Sequence, residues 1–177
     1  MSEPRLLDRR TVWTGRLLEV GVDRLRMPGG ATTELEIVRH PGAAVIVPIT
    51  ADGEVVLVRQ YRYAVGAWLL EAPAGKLSPG EAPEACARRE LEEETGWQAA
   101  QLAPLGSVWS SPGFTDEVLH LFLARGLEPG SQALEPDELL SLETLPLEEA
   151  TRMARDGRIN DSKTVCALLR AAAATEG

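Results

Sequence analysis

No apolar run in this chain is long enough to cross a bilayer. The longest, "AAVIVPI" from Ala43 to Ile49, is seven residues, against the roughly 20 that a membrane helix needs. The opening "MSEPRLLDRR" has no cationic-then-apolar leader, so a cytoplasmic protein with no membrane partner is expected. Cysteine is nearly absent. Cys86 and Cys166 stand 80 residues apart without a close-spaced partner, which argues against a disulfide framework or a thiolate metal site and predicts two buried free thiols. Positive charge is also short: the net charge is −9, with two lysines beside sixteen arginines. A protein that coats nucleic acid needs a basic surface, so nucleic acid is not an expected partner. A small anionic substrate stays compatible, given metal ions and a few arginines to make its site locally positive.

The 177 residues, 44% of them hydrophobic, suit one domain with a real core. "AAVIVPITADGEVVLVRQYRY" reads as two strands around an Asp52-Gly53 turn and predicts a hairpin. "RLLEVGVDRLRMPGGATTELEIVRH" alternates around Pro28-Gly29-Gly30 and predicts an amino-terminal hairpin. "WLLEAPAG" is a short strand entering a glycine-bearing loop. A helix is expected from Ala82 to Thr95, closed by Gly96. "QLAPLGSVWS" and "EVLHLFLARG" read as strands, and the remainder as two helices with Pro146 and Asp161 near their starts. The pattern predicts an α/β fold, a mixed β-sheet sandwiched between α-helices, over residues 1–177.

The expected helix is strongly acidic, with five glutamates between Glu84 and Glu94. At 100° per residue, Glu90, Glu93 and Glu94 share an arc of roughly 100°, Glu92 points the other way, and Arg89 lies at the edge. Like charges so placed repel, so this face wants a cation. Oxygen ligands select a hard divalent ion, Mg²⁺ or Mn²⁺, and Mg²⁺ commonly binds substrate phosphates as well. For a bare E-x-x-E-E a solvated acidic face would explain as much. Here the context is longer: Gly75, Glu81, Arg89-Glu90-Leu91, Glu93-Glu94, Gly96 and Trp97 fit G-x5-E-x7-R-E-U-x-E-E-x-G-U, with U apolar, at every fixed position.

That pattern over residues 75–97 is the Nudix box, and the sequence resembles the Nudix hydrolases. The resemblance implies a Nudix fold in which Glu90 and Glu94, assisted by Glu93, bind Mg²⁺ or another divalent ion, with the backbone carbonyl of Ala74 as a further ligand. Arg89 would pair with Glu81 or Glu93 and orient it. Pro112, fifteen residues after Trp97, resembles a marker of the ADP-ribose pyrophosphatase branch, although Pro112-Gly113 also makes an ordinary turn. "VRQYRY", "WLLEAPAGKL" and the stretch from "EPDELL" to "TVCALL" look like that branch too. It implies hydrolysis of the pyrophosphate of ADP-ribose to AMP and ribose 5-phosphate, with FAD, a nucleotide sugar or a diadenosine polyphosphate as alternative substrates. A catalytically silent nucleotide-sensing module is the alternative of another class, and the retained box glutamates speak against it.

By the same resemblance the general base lies in a loop after the box, with Glu138 best aligned and Glu135 second; a plain acidic turn is the competing reading. Arg59 and Arg62 would clamp phosphates beside Glu71, or serve as its structural partners. Trp13 and Tyr61 are candidate adenine-stacking groups, or else core or interface residues. His40 and His120 read as packing or hydrogen-bonding residues. Members of the branch are typically homodimers that exchange amino-terminal strands, here those of residues 1–40. A monomer folding the same hairpin onto its own sheet fits equally.

Overall fold

A computed structural model of the chain describes residues 2–134 and 139–175. The strands are β1 (Arg5–Thr14), β2 (Glu19–Arg26), β3 (Thr32–Arg39), β4 (Ala43–Pro48), β5 (Glu54–Arg62), β6 (Ala67–Glu71), β7 (Ala74–Lys76), β8 (Trp97–Trp109), β9 (Val118–Pro129) and β10 (Leu140–Pro146). The helices are α1 (Pro83–Thr95), α2 (Leu147–Asp156) and α3 (Ser162–Thr175). By their contacts these elements form two compact units, residues 1–42 with 109–118, and residues 43–108 with 119–177.

The larger unit is built on β4. All six of its residues are buried, as expected of a strand covered on both faces. It lies in the sheet β7-β4-β9-β8, antiparallel to β7 and parallel to β9, so the sheet is mixed. Side-chain alternation then divides the core. Val45, Val47, Leu121 and Leu123 pack with α2 and α3 residues such as Ala150, Leu168 and Ala171. Ala44, Ile46, Phe122 and Ala124 pack with Cys86, Ala87 and Leu91 of α1. The mixed sheet is therefore sandwiched between helices, as the sequence pattern predicts.

Beside it lies a second sheet, in the order β10-β5-β6. The expected hairpin of "AAVIVPI" with "EVVLVRQYRY" is corrected here. The Asp52-Gly53 turn does reverse the chain, with Gly53 at φ 78°, but only a single bridge joins Ile49 to Val55. Both edges of β4 are taken by β7 and β9, and both edges of β5 by β10 and β6. Leu140–Pro146, a stretch the sequence pattern leaves without an element ahead of the helix expected from Pro146, is a strand, paired antiparallel with β5 from Leu140↔Gln60 to Pro146↔Glu54.

In the smaller unit β2 and β3 form the expected hairpin, with Gly30 at φ 88°. A third strand, β1, extends it antiparallel to β2. The three strands are tied by charge: Asp23 of β2 accepts from Arg9 Nε at 3.2 Å and from Arg39 Nη2 at 2.7 Å. Burial alone would raise the Asp23 carboxyl, but these two guanidinium groups hold it below its ordinary range. Residues 109–118 add to this unit through Val38 N–H donating to Phe114 O at 2.7 Å and His40 N–H to Asp116 Oδ1 at 2.9 Å. His40 Nδ1 accepts from Gly42 N–H at 3.0 Å.

Candidate active site

The box begins at β7 and continues through α1. Pro83 sits at the first turn of α1 and Gly96 closes it at φ 72°, its N–H donating to Glu92 O, a left-handed end that glycine tolerates best. Leu91, Cys86 and Ala87, all fully buried, fix which face of α1 meets the sheet. The opposing requirement comes from charge. Glu90 and Glu94 are 8% and 3% exposed, and a carboxylate so enclosed needs partners.

Arg89 supplies much of the compensation. Its Nε and Nη2 donate to the two Glu81 oxygens at 3.0 Å each, and its Nη1 donates to Glu90 at 2.6 Å and Glu93 at 2.8 Å. One guanidinium thus holds three carboxylates, a use suited to its fixed fork of donors. The Arg89 bonds, with a further one from Ser78 N–H, pull the Glu81 carboxyl down to about 2. The Glu81 bond in turn raises the proton affinity of Arg89, keeping it charged. Glu94 Oε2 accepts from Ala74 N–H at 3.0 Å. Glu92, on the other side of the helix, accepts from Gln98 Nε2 at 2.8 Å. Cys86 is buried as expected, and its burial drives the thiol up to about 11. Cys166 is only half-buried, a correction to the expectation that both thiols are enclosed, because it lies at the margin of the packed face of α3.

A cavity of about 170 Å³ opens on this face, bordered by Ala74, Gly75, Ser78, Arg89, Glu90 and Glu93. A larger one, about 480 Å³, lies at the β4–β5 turn against Leu147 and Thr175, and its lining has no carboxylate. Among the described residues no three His, Cys, Asp or Glu side chains converge into a set that could hold a metal ion unaided. Arg89 is the counter-ion in this arrangement. The donors nonetheless suit a hard divalent ion: Glu90, Glu93, Glu94 and the Ala74 carbonyl offer oxygen atoms with no histidine among them. Gly75 leaves the room, since a Cβ there would run into the Glu90 carboxylate.

The other residues singled out from sequence are distributed as follows. Glu71 is 1% exposed and accepts from Arg62 Nε and Nη2 at 2.8 and 2.7 Å, and from Lys163. Burial would raise the Glu71 carboxyl, yet these cations hold it below its ordinary range. Arg59 pairs instead with Glu143, both Nε and Nη2 reaching Oε2 at 2.9 and 2.8 Å. Tyr61 meets Trp68 edge to face, ring centroids 5.7 Å apart. Trp13 is 56% exposed on β1, and Pro112 lies in the turn where Phe114 N–H donates to Ser111 O at 3.1 Å. Both belong to the smaller unit. Glu135 and Glu138 lie outside the described residues. The segment before them crosses the end of α1: Gln132 Nε2 donates to Glu94 O at 2.7 Å, and Ala133 N–H to Glu93 O at 2.9 Å. Sequence reasoning missed this cap, and it missed Lys163. Scarcity was the available signal for the latter, one of two lysines in the chain.

An acidic helix laid on a mixed sheet, with a glycine-made recess at its mouth and arginines beside it, is an arrangement suited to a phosphate and a divalent ion. Residues 38–168 match the family model described as NUDIX domain, and the chain belongs to the Nudix family of hydrolases. It is 43% identical over 170 residues to the methanol dehydrogenase activator of Bacillus methanolicus, covering 95% of this chain and 92% of that protein. It is 35% identical over 168 residues to the ADP-ribose pyrophosphatase of Bacillus subtilis (strain 168), covering 94% and 91%. A solved structure described as an ADP compounds hydrolase superposes with a TM-score of 0.88 at 27% identity, covering 100% of this chain and 96% of that one. ADP-ribose pyrophosphatases of this family generally use divalent metal ions. No helix among the described residues is long and apolar enough to cross a membrane.

Proposed function

We propose that this chain is a Mg²⁺-dependent ADP-ribose pyrophosphatase, acting as one Nudix domain, in the cytoplasm, as a homodimer. The observation that carries the reading is the box itself: Glu90, Glu93 and Glu94 on one buried-to-exposed face of α1, beside Ala74 and the recess that Gly75 leaves. The named relatives support the substrate. Exposed Leu6, Leu7, Val12 and Trp13 on β1 support an association surface.

Hydrolysis forms a bond from water oxygen to one phosphorus and breaks that phosphorus from the bridging oxygen, yielding AMP and ribose 5-phosphate. Glu90, Glu93, Glu94 and the Ala74 carbonyl would hold Mg²⁺, which when bound would supply charge neutralisation for the pyrophosphate. Arg89 holds Glu81, Glu90 and Glu93 in place until then. Arg62, anchored by Glu71, offers a fixed positive charge to phosphate oxygens, and Arg59 offers a second on releasing Glu143. Trp13 would stack adenine and Pro112 shape the substrate loop. Glu138, with Glu135 in reserve, would take the proton from the attacking water.

The test is product analysis with ADP-ribose, FAD, a nucleotide sugar, a diadenosine polyphosphate and GTP, in Mg²⁺ or EDTA. Preferential metal-dependent release of AMP from ADP-ribose supports the proposal. Preference for another conjugate keeps the chemistry and changes the substrate, while binding without turnover favours the silent sensing module. Glu138→Gln should abolish turnover with the Mg²⁺ response intact; unchanged turnover removes that residue from the mechanism. The 43% identical relative favours a second reading, activation of a dehydrogenase. Adding the chain to a methanol dehydrogenase assay, with and without the Glu94→Gln change, tests that reading.

A further inference from the structure

Four consecutive residues, from the last of β6 to the first of β7, are each fastened. Glu71 accepts from Arg62 and from Lys163. Ala72 N–H donates to Thr164 Oγ1 at 2.8 Å. Pro73 O accepts from Ile46 N–H at 2.9 Å. Ala74 N–H donates to the box carboxylate Glu94 at 3.0 Å. Two of the four holds come from the first turn of α3, far away in sequence.

That turn is organised by Asp161. Its Oδ2 accepts from Thr164 N–H at 3.0 Å, from Thr164 Oγ1 at 2.6 Å and from Lys163 Nζ at 3.0 Å. A hydroxyl has one hydrogen, so with that hydrogen given to Asp161 the Thr164 oxygen is left as an acceptor for Ala72 N–H. Thr164 is fully buried, so the direction of this chain of bonds is set by the surroundings. A buried ion pair adds little to stability over apolar packing of the same volume. What it adds is definite geometry. Arg62 ties the network to the box: its proton affinity is raised first by the Glu71 bonds and further by the charges of Glu94 and Asp161.

We propose that Lys163, with Thr164 and Asp161, is a positioning group for the metal-binding side of the site, holding residues 71–74 so that Ala74 and Glu94 stay in register. The inference rests on the metal-dependent reading above. Lys163 acts through Glu71 and the β6–β7 connection, which ends at the Ala74 N–H bonded to Glu94.

The test uses the full chain carrying Lys163→Met, with Lys163→Arg as the conservative variant. Two quantities are read: the Mg²⁺ concentration that half-completes the rise in melting temperature without substrate, and kcat with KM for ADP-ribose. Loss of such a supporting partner lowers metal affinity or activity by about 10- to 100-fold. The expected result is a half-saturating Mg²⁺ concentration raised by that factor and a reduced kcat, with KM little changed and Lys163→Arg recovering most of the loss. If Lys163→Met lacks the wild-type circular dichroism spectrum, Thr164→Val, which removes the hydroxyl that accepts from Ala72 and donates to Asp161, carries the same expectation. A melting temperature lowered in EDTA with Mg²⁺ half-saturation and kcat unchanged would show a merely structural role and overturn the inference. A wild type that neither responds to Mg²⁺ nor hydrolyses ADP-ribose overturns the underlying reading and this one with it. A responsive wild type with an unaltered variant overturns this one alone.

Discussion

Replacing Gly75 with alanine separates the fold from the site. The added Cβ would land on the carboxylate of Glu90, a side chain 8% exposed and held by Arg89 at 2.6 Å. The strand cannot retreat, because β7 is paired with β4 through Ala44↔Gly75. Glu90 therefore has to swing aside and give up its bond to Arg89. Overpacking of this kind costs about 1–3 kcal/mol. For a chain of this length each kcal/mol is about 2–4 °C of melting temperature, so a fall of about 2–12 °C is expected. The effect on the metal response should be larger, with half-saturating Mg²⁺ raised about 10- to 100-fold, since a displaced ligand loses the arrangement its supports enforce. Thermal melts across a Mg²⁺ series measure both quantities. Gly29→Ala is the control: an added Cβ there meets nothing within 4 Å, and a change within about 0.5 kcal/mol is expected. A Gly75→Ala protein with wild-type melting temperature and wild-type Mg²⁺ response would refute the reasoning.

Glu81 ties stability to pH: its carboxyl is lowered from 4.5 to about 2, so its contribution is complete above about 4.5 and is lost as pH falls towards 2. The difference in melting temperature between wild type and Glu81→Gln should shrink over that window, and a pH-independent difference would contradict the Arg89–Glu81 assignment. Cys86, driven up to about 11 by burial, should resist maleimide at pH 8 in the native state and react after denaturation, as read by mass spectrometry; rapid native labelling would show that α1 does not bury it. Leu91→Ala, at a fully buried position of α1, should lose about 2–5 kcal/mol in urea unfolding. A loss under 1 kcal/mol would mean that α1 is not packed on the sheet as described.

The box was legible because its information is local. Spacing at 100° per residue places Glu90, Glu93 and Glu94 together, Gly96 ends the helix and Arg89 falls within reach of Glu81 and Glu93, all inside 23 residues. The turn at Asp52-Gly53 was equally legible as a reversal, but a turn does not say which sheet edge each strand will find, and β4 and β5 found different ones. β10 escaped because Leu140, Leu142 and Leu145 sit in a leucine- and glutamate-rich stretch that suits a helix, and pairing with β5 overrode that preference. β1 escaped because "RLLDRRTVWT" is exposed at every position and carries no buried period. The tie from Lys163 to Glu71 spans 92 residues; nothing local announces it.

The most direct measurement is AMP release from ADP-ribose by wild type and Glu94→Gln, each with Mg²⁺ and with EDTA. Glu94 is 3% exposed, bonded to Ala74 N–H and part of the oxygen set on α1, and the exchange to glutamine keeps its size while removing its charge. Turnover by the wild type in Mg²⁺, none in EDTA, and a loss of at least about 100-fold in the variant are expected, the upper range for disturbing a metal site through its supports. Equal turnover by wild type and Glu94→Gln in Mg²⁺ would contradict that expectation.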